Sequence, residues 1–252
     1  MPPTPADGRL WKETWTRSLR HTSPDCDAAT WTNDIDRRKL KLLRPYLPSE
    51  GRALEVGCGS ARLLCRVGRT APLTLTALDN EPAALEVARN TANAFAVRID
   101  PVNGDVFSLP FADDSFDLIL SGGLLEHFED PKPVLREMVR VICPGGTFYA
   151  DVVPRKRSWY RLHEARRMAT SPWLAPGVYE SSFGAEDYVP WLEELLIEDV
   201  HVAHCGVYPS FMGRLPSWLR GVAERCLEPL DGTGVGASWG WYFVLLGRKK
   251  VA

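Results

Sequence analysis

Gly57 and Gly59 stand directly behind an apolar run that closes with Glu55 and Val56, and a helical pattern follows them. Glycine lets a backbone approach a ligand closely and adopt angles that other residues avoid. The helix start behind it offers N–H groups that have no partner within the helix. Asp79 closes the next apolar run, Leu73 to Leu78, about twenty residues on, where a carboxylate that binds a ribose is expected. Asp105 closes a further extended stretch. Successive strand ends that carry glycine or an acid describe a pocket for a nucleoside.

Two nucleoside cofactors suit such a start. A dinucleotide site uses G-x-G-x-x-G, with the pyrophosphate at the helix N-terminus. Here Arg62 fills the place of the last glycine, and Glu55 would repel a pyrophosphate. The same carboxylate suits an amino-acid tail that carries an ammonium group. In four ordered segments the chain resembles the class I S-adenosylmethionine-dependent methyltransferases, most closely their small-molecule branch. The segments are Leu54–Ala61, Ala77–Leu85, Gly104–Asp130 and Val134–Phe148. Ala61 departs from the pattern, since many members carry a third glycine there.

The resemblance implies S-adenosylmethionine as cofactor and assigns residues to it. Gly57 and Gly59 would lie against the methionine part and ribose, with Glu55 ordering that loop and the amino group. Asp79 would accept from both ribose hydroxyls, and Asn80 would border the adenine. Asp105 would accept from the adenine amino group, with the Val106 N–H facing a ring nitrogen. Ser121 would offer backbone contacts to the methionine amino group. The structural alternatives are that Asp79 caps the following helix and that Asp105 is a turn residue.

Methyl transfer from a sulfonium asks the protein to align acceptor and methyl, exclude water and remove a proton where the acceptor carries one. His127 is the candidate base, because it follows the fourth strand and histidine titrates near neutrality. The alternative is a structural histidine bonded to backbone in a turn. Tyr160, His163, His201, His204 and Tyr208 are weaker candidates. His201 and His204 are three apart on a strand and face opposite sides, which makes them poor partners for one metal. No metal site is expected.

Positioning these groups takes an alternation of strands and helices from Arg52 onward. It implies an α/β fold, a seven-stranded, mostly parallel sheet with helices on both faces, of the class I methyltransferase Rossmann-like kind. Strands are expected at 52–56, 73–78, 97–102, 116–121, 146–152, 198–205 and 239–248. Helices are expected at 60–68, 81–93, 131–142 and 185–196. Residues 1–45 read as an N-terminal helical cap and 46–252 as the catalytic domain. Trp11, Trp15 and Leu19 share one helical face, and a second helix is expected from a cap at Asn33 or Asp34 to Leu43. The cap could fold over the cofactor mouth; the preferred reading is that its tryptophans only pack the helix down.

Helical lid inserts are expected at about 154–184 and 206–238. They carry Trp159, Tyr160, Trp173, Tyr208 and Phe211 as candidate substrate residues, with helical padding as the alternative. The glycine-rich stretch Asp231–Gly240 reads as a loop. Arg155-Lys156-Arg157, Arg161, Arg166 and Arg167 form a basic run that reads as a solvated helix face.

The 252 residues carry a formal net charge of −2, which argues against a phosphate-binding surface and makes nucleic acid an unfavoured partner. No run has the length of a membrane span or a signal peptide, so a cytoplasmic enzyme is expected. Six scattered cysteines match neither a disulfide framework nor a zinc site. The expectation is methyl transfer to a small, partly apolar molecule, first at oxygen. The competing readings are an RNA or protein methyltransferase and a cofactor-binding protein without transferase activity.

Overall fold

Runs in which nearly every residue is buried, such as Ala53–Val56 and Leu75–Asp79, mark strands covered on both faces. The computed structural model describes residues 8–19, 30–158, 179–207 and 215–251. In chain order the elements are α1 (Gly8–Leu19), α2 (Trp31–Leu43), β1 (Gly51–Val56), α3 (Arg62–Gly68), β2 (Leu73–Asp79), α4 (Pro82–Ala94), β3 (Asp100–Asn103) and β4 (Phe116–Gly122). They continue with α5 (Lys132–Val141), β5 (Ile142–Val152), α6 (Ala185–Glu194), β6 (Ile197–Cys205), α7 (Ser217–Leu227), α8 (Gly234–Trp239) and β7 (Tyr242–Lys249).

The strands form one seven-stranded sheet in the order β3-β2-β1-β4-β5-β7-β6. The first five run parallel, and β7 runs antiparallel to both of its neighbours. Alternate residues feed two cores. Leu54, Ile119, Phe148 and Leu245 meet Leu135 and Met138 of α5 and Tyr188 and Leu192 of α6. Ala53, Leu118, Tyr149 and Val244 meet Leu64 of α3, Leu85 of α4 and Leu43 of α2. The expected fold class is the one found. Strand order reverses between β1 and β4, and the crevice beyond their carboxyl ends is where such sheets bind ligands.

Several boundaries differ from expectation for local reasons. α2 begins before Asn33, because Thr30 is its cap and accepts from the Asn33 N–H at 3.2 Å. β3 starts only at Asp100; Val97 and Ile99 instead pack against the α3/α4 side of the core. β5 follows α5 without a break, so its first residues pair Ile142 with Phe116. The glycine-rich stretch is partly helical. Thr233 caps α8, and a Cβ on Gly240 would stand 2.5 Å from the Cys205 carbonyl oxygen, so glycine there permits close packing on β6. The second insert is therefore helical in its described part, through α7 and α8. In the first insert only 154–158 and 179–184 are described.

Lys249 fastens the end of β7 under α5. Its ammonium donates to the carbonyls of Ile142 at 2.7 Å and Val139 at 3.0 Å and to the Asp114 carboxylate at 2.8 Å. Those carbonyls lie at the C-terminal end of α5, where helical partners run out. Lys249→Met keeps the stem and removes the donors. It should cost about 1–3 kcal/mol and lower Tm by several degrees in a thermal melt; an unchanged Tm would show that water replaces the ammonium without loss.

Candidate active site

Behind β1 the chain turns through Gly57 and Gly59, whose φ values of +64° and +49° belong to the region that favours glycine. Room matters as much as angle. A Cβ on Gly57 would stand 2.7 Å from Leu124 Cδ1, and one on Gly59 2.6 Å from the Trp15 ring. The Cys58 N–H donates to the Leu78 carbonyl at 2.9 Å, which ties the loop to β2. Ala61 takes the left-handed conformation at φ 51°, which explains why a third glycine would suit that position.

Asp79 ends β2 almost fully buried. One carboxylate oxygen accepts from the Gly59 N–H at 2.9 Å and the other from the Glu81 N–H at 3.0 Å. Burial pushes its carboxyl upward, and the two N–H bonds pull it back. Each oxygen keeps a lone pair, enough for two hydroxyl donors. Asp79 is not the cap of α4, because Glu81 fills that place with its own side chain toward the Ala83 N–H. Asn103 at the end of β3 donates to the carbonyls of Asp79 and Asn80 at 3.3 and 3.1 Å. Asn80, exposed Asp105 and buried Val106 thus share the rim beyond β2 and β3. Asp105 also has the turn role, accepting from the Phe107 N–H at 2.9 Å.

The carboxyl ends of β1, β4 and β5 bury three more acids or their neighbours. Glu55, Glu126 and Asp151 are 5%, 2% and 1% exposed. Lys39 of α2 meets them, with its ammonium 2.6 Å from Asp151. Burial would depress Lys39, but the Asp151 charge and hydrogen bond outweigh it and hold the ammonium charged. Burial, reinforced by Asp151, pushes Glu55 up to about 8. Burial likewise pushes Glu126 up to about 7, against the pull of His127. Among the described residues, one oxygen each of Glu55 and Glu126, and the hydroxyl of buried Ser121, find no hydrogen-bond partner. Polar atoms left so in a closed interior are costly and call for a partner.

His127 follows β4 as expected, in a short 3-10 turn. Its Nδ1 lies 2.8 Å from the Tyr179 carbonyl, so that nitrogen carries the hydrogen and Nε2 is the one able to accept a proton. Trp11 meets its ring edge-on, with centroids 4.9 Å apart. Trp11 and Trp15 therefore pack α1 down on the loops after β4 and β1. Trp159, Tyr160, His163, Trp173, Tyr208 and Phe211 lie outside the described residues. His201 is exposed and His204 half-buried on β6, and no group suited to a metal occurs among the described residues. Of the basic run, Arg155 and Arg157 are exposed, while Lys156 donates to the Ala237 carbonyl of α8 at 2.8 Å.

Sequence reasoning missed Lys39, Asp151 and the polar joint between α2 and α3. Arg62 and Arg66 of α3 bind Asp36, at 2.8 and 3.6 Å, and both reach Asn33. Arg62 at the place of a third glycine was the visible signal, since an arginine there needs an acid elsewhere. Glu126 carried no signal of its own beside His127.

Residues 54–150 match a family described as a methyltransferase domain. A 2-methyl-6-phytyl-1,4-hydroquinone methyltransferase of rice is 30% identical over 221 residues, which cover 87% of this chain and 60% of that enzyme. Ajmaline N-methyltransferase of Rauvolfia serpentina is 27% identical over 195 residues, covering 71% of this chain and 64% of the enzyme. The chain thus spans less than two thirds of the length of these curated relatives. Among solved structures, the [4+2]-cyclase SpnF superposes with a TM-score of 0.64 at 20% identity, covering 100% of this chain and 98% of that one. A SAM-dependent methyltransferase of Thermotoga maritima gives 0.60 at 18% identity, covering 96% and 99%. Identities this low speak for the fold alone.

Glu55 sets a pH dependence with a definite sign. Its folded value of about 8 lies above the ordinary 4.5, so the native state holds a proton that the unfolded chain has lost. Stability of the ligand-free protein should therefore fall as pH rises from 4.5 to 8, by at most about 1.4 kcal/mol per pH unit for this one group. Glu55→Gln should flatten that slope in urea titrations across the same range; an identical slope would show that Glu55 ionises freely in the fold.

Proposed function

We propose, from the premise that this chain belongs to the class I S-adenosylmethionine-dependent methyltransferases, that it methylates a small, partly apolar molecule at a hydroxyl oxygen. The observation that carries the reading is the Gly57–Gly59 loop at the strand-order reversal, held by Asp79 across to β2. The residues present fit the cofactor. Asp79 has lone pairs for two ribose hydroxyls, glycines leave the loop open, and the unpartnered Glu55 oxygen suits an ammonium group. When bound, S-adenosylmethionine supplies a methyl group on a sulfonium, which is already a good leaving group.

This chain's residues hold, shield and deprotonate. Glu55, Gly57, Gly59, Asp79, Asn80, Asp105, Val106 and Ser121 form the proposed cofactor set. Residues 1–45 form the proposed cap, supported by Trp15 against Gly59 and Trp11 against His127. The acceptor's proton leaves through the loop after β4, which carries His127. A small apolar acceptor is in keeping with relatives named for a phytyl hydroquinone and for an alkaloid. A cytoplasmic setting belongs to the same proposal, supported by the unpaired Cys58, Cys65, Cys143, Cys205 and Cys226. A cofactor-binding protein without transferase activity is the second reading, since a [4+2]-cyclase shares this fold.

Calorimetry with S-adenosylhomocysteine should give saturable binding, and Asp79→Ala should weaken it by about 2–4 kcal/mol through lost charge-assisted acceptors. Unchanged affinity in that variant removes Asp79 from the site. Labelled donor offered with a panel of hydroxyl compounds should give methylated product; binding without any turnover favours the second reading.

The acceptor wall is proposed to include Trp159, Tyr160, Trp173, Tyr208 and Phe211. Alanine at the residues that touch acceptor should raise its KM while leaving homocysteine-adduct affinity within about twofold. A lowered Tm with unchanged acceptor kinetics throughout the set would make them packing residues.

A further inference from the structure

Two groups after β4 can take a proton, and they are held very differently. The His127 ring is engaged on two sides, by the Tyr179 carbonyl at 2.8 Å and by the edge of Trp11. Glu126 has its backbone fixed instead. Its carbonyl accepts from the Ser181 N–H at 2.7 Å, which leaves the side chain to turn inward. There Oε2 makes no hydrogen bond to any of the described residues, although the residue is 2% exposed. Gly123 leaves room beside it, since a Cβ at that position would lie 3.6 Å from Oε1.

Charged and titratable groups face Glu126 from several of the described elements. Asp151 of β5 and Glu180 before α6 are acids, His127 adjoins it, and Tyr188 of α6 feels its charge. Lys39 of α2 feels it too, but its ammonium is bonded to Asp151. Among the described residues none pairs with the Glu126 Oε2 oxygen, which leaves it free for a group that arrives. Burial leaves the carboxyl at about 7, where it both releases and regains a proton near neutral pH.

We propose that Glu126 is the general base for the acceptor hydroxyl, with His127 as a positioning residue that fastens α1 and the 179–184 segment to its loop. The inference rests on the hydroxyl-methylation reading above. In the step, the acceptor O–H gives its proton to Glu126 Oε2 while an oxygen electron pair forms the bond to the methyl carbon. The bound cofactor would supply that methyl group and keep the carbon–sulfur bonding pair, leaving as a neutral thioether. Glu126 then returns the proton to solvent. A protonated amine would instead be drawn to the carboxylate as a counter-ion, and the experiment separates the two.

The test uses the full chain loaded with S-adenosylhomocysteine and carboxyl-labelled with carbon-13 at glutamate. Phenol and benzylamine serve as probes. The Glu126 resonance is identified by its loss in Glu126→Gln, or by its displacement in Glu126→Asp should the first variant not fold. Phenol should shift the titration midpoint of that resonance by at least about half a unit. A midpoint that phenol leaves in place, or that benzylamine alone moves, overturns the proposal. With any hydroxyl compound that turns over, Glu126→Gln should lower kcat about 10²–10³-fold and abolish the acidic limb of its pH profile. His127→Gln should keep that limb. A retained limb in Glu126→Gln overturns the proposal as well. A wild-type chain that binds no S-adenosylhomocysteine or methylates nothing sinks the methyltransferase reading, while the phenol response still decides the proton site.

Discussion

The bond between Lys39 and Asp151 is what the carboxyl edge of this sheet depends on. β1, β4 and β5 bring Glu55, Glu126 and Asp151 out of water together, and a buried acid without a cation is expensive. One ammonium from α2 meets Asp151 at 2.6 Å and lies 5.6 Å over the Tyr242 ring of β7. It therefore joins a helix outside the sheet to two strands within it. The same helix uses Asp36 and Asn33 to gather Arg62 and Arg66, which fixes α3 behind the glycine loop. Position of the loop, charge of the interior and docking of α2 are thus one problem with one solution.

Asp79 shows how the cradle is set before any ligand arrives. Its carboxylate bridges the Gly59 and Glu81 N–H groups, so the loops after β1 and β2 are already spaced. Preparing a site in this way lowers the ordering that binding would otherwise require. The remaining lone pairs, not a rearrangement, are what the proposed site would offer to hydroxyls.

Legibility in the sequence followed distance along the chain. The glycine loop, Asp79 and the strand-helix alternation lie in short windows, where apolar runs and turn residues speak for themselves. Lys39 and Asp151 are 112 positions apart, and periodicity names a face without naming its partner. The start of α2 was misplaced because Asn33 and Thr30 are both good caps; Asn33 is drawn inside the helix to serve Arg66 at 2.6 Å. The glycines of 231–240 read as a loop because flexibility and close packing use the same residue. Only the carbonyls of β6 beside Gly236 and Gly240 decide between them. Glu126 was legible in type but not in burial, which depends on the return of the chain at Ser181.

The place of β7 carries a consequence for how the chain is made. Among the described strands β6 is an edge strand paired with β7 alone, and β7 comes later in sequence, between β6 and β5. During synthesis residues 197–205 therefore emerge with nothing in the sheet to pair with. Until 242–249 follow, β5 also presents a bare flank beside them. A nascent chain at that stage exposes two unpaired strand edges at once, the kind of surface that invites misassociation. Closure of this sheet waits on β7, and with it the seating of Tyr242 beside Lys39.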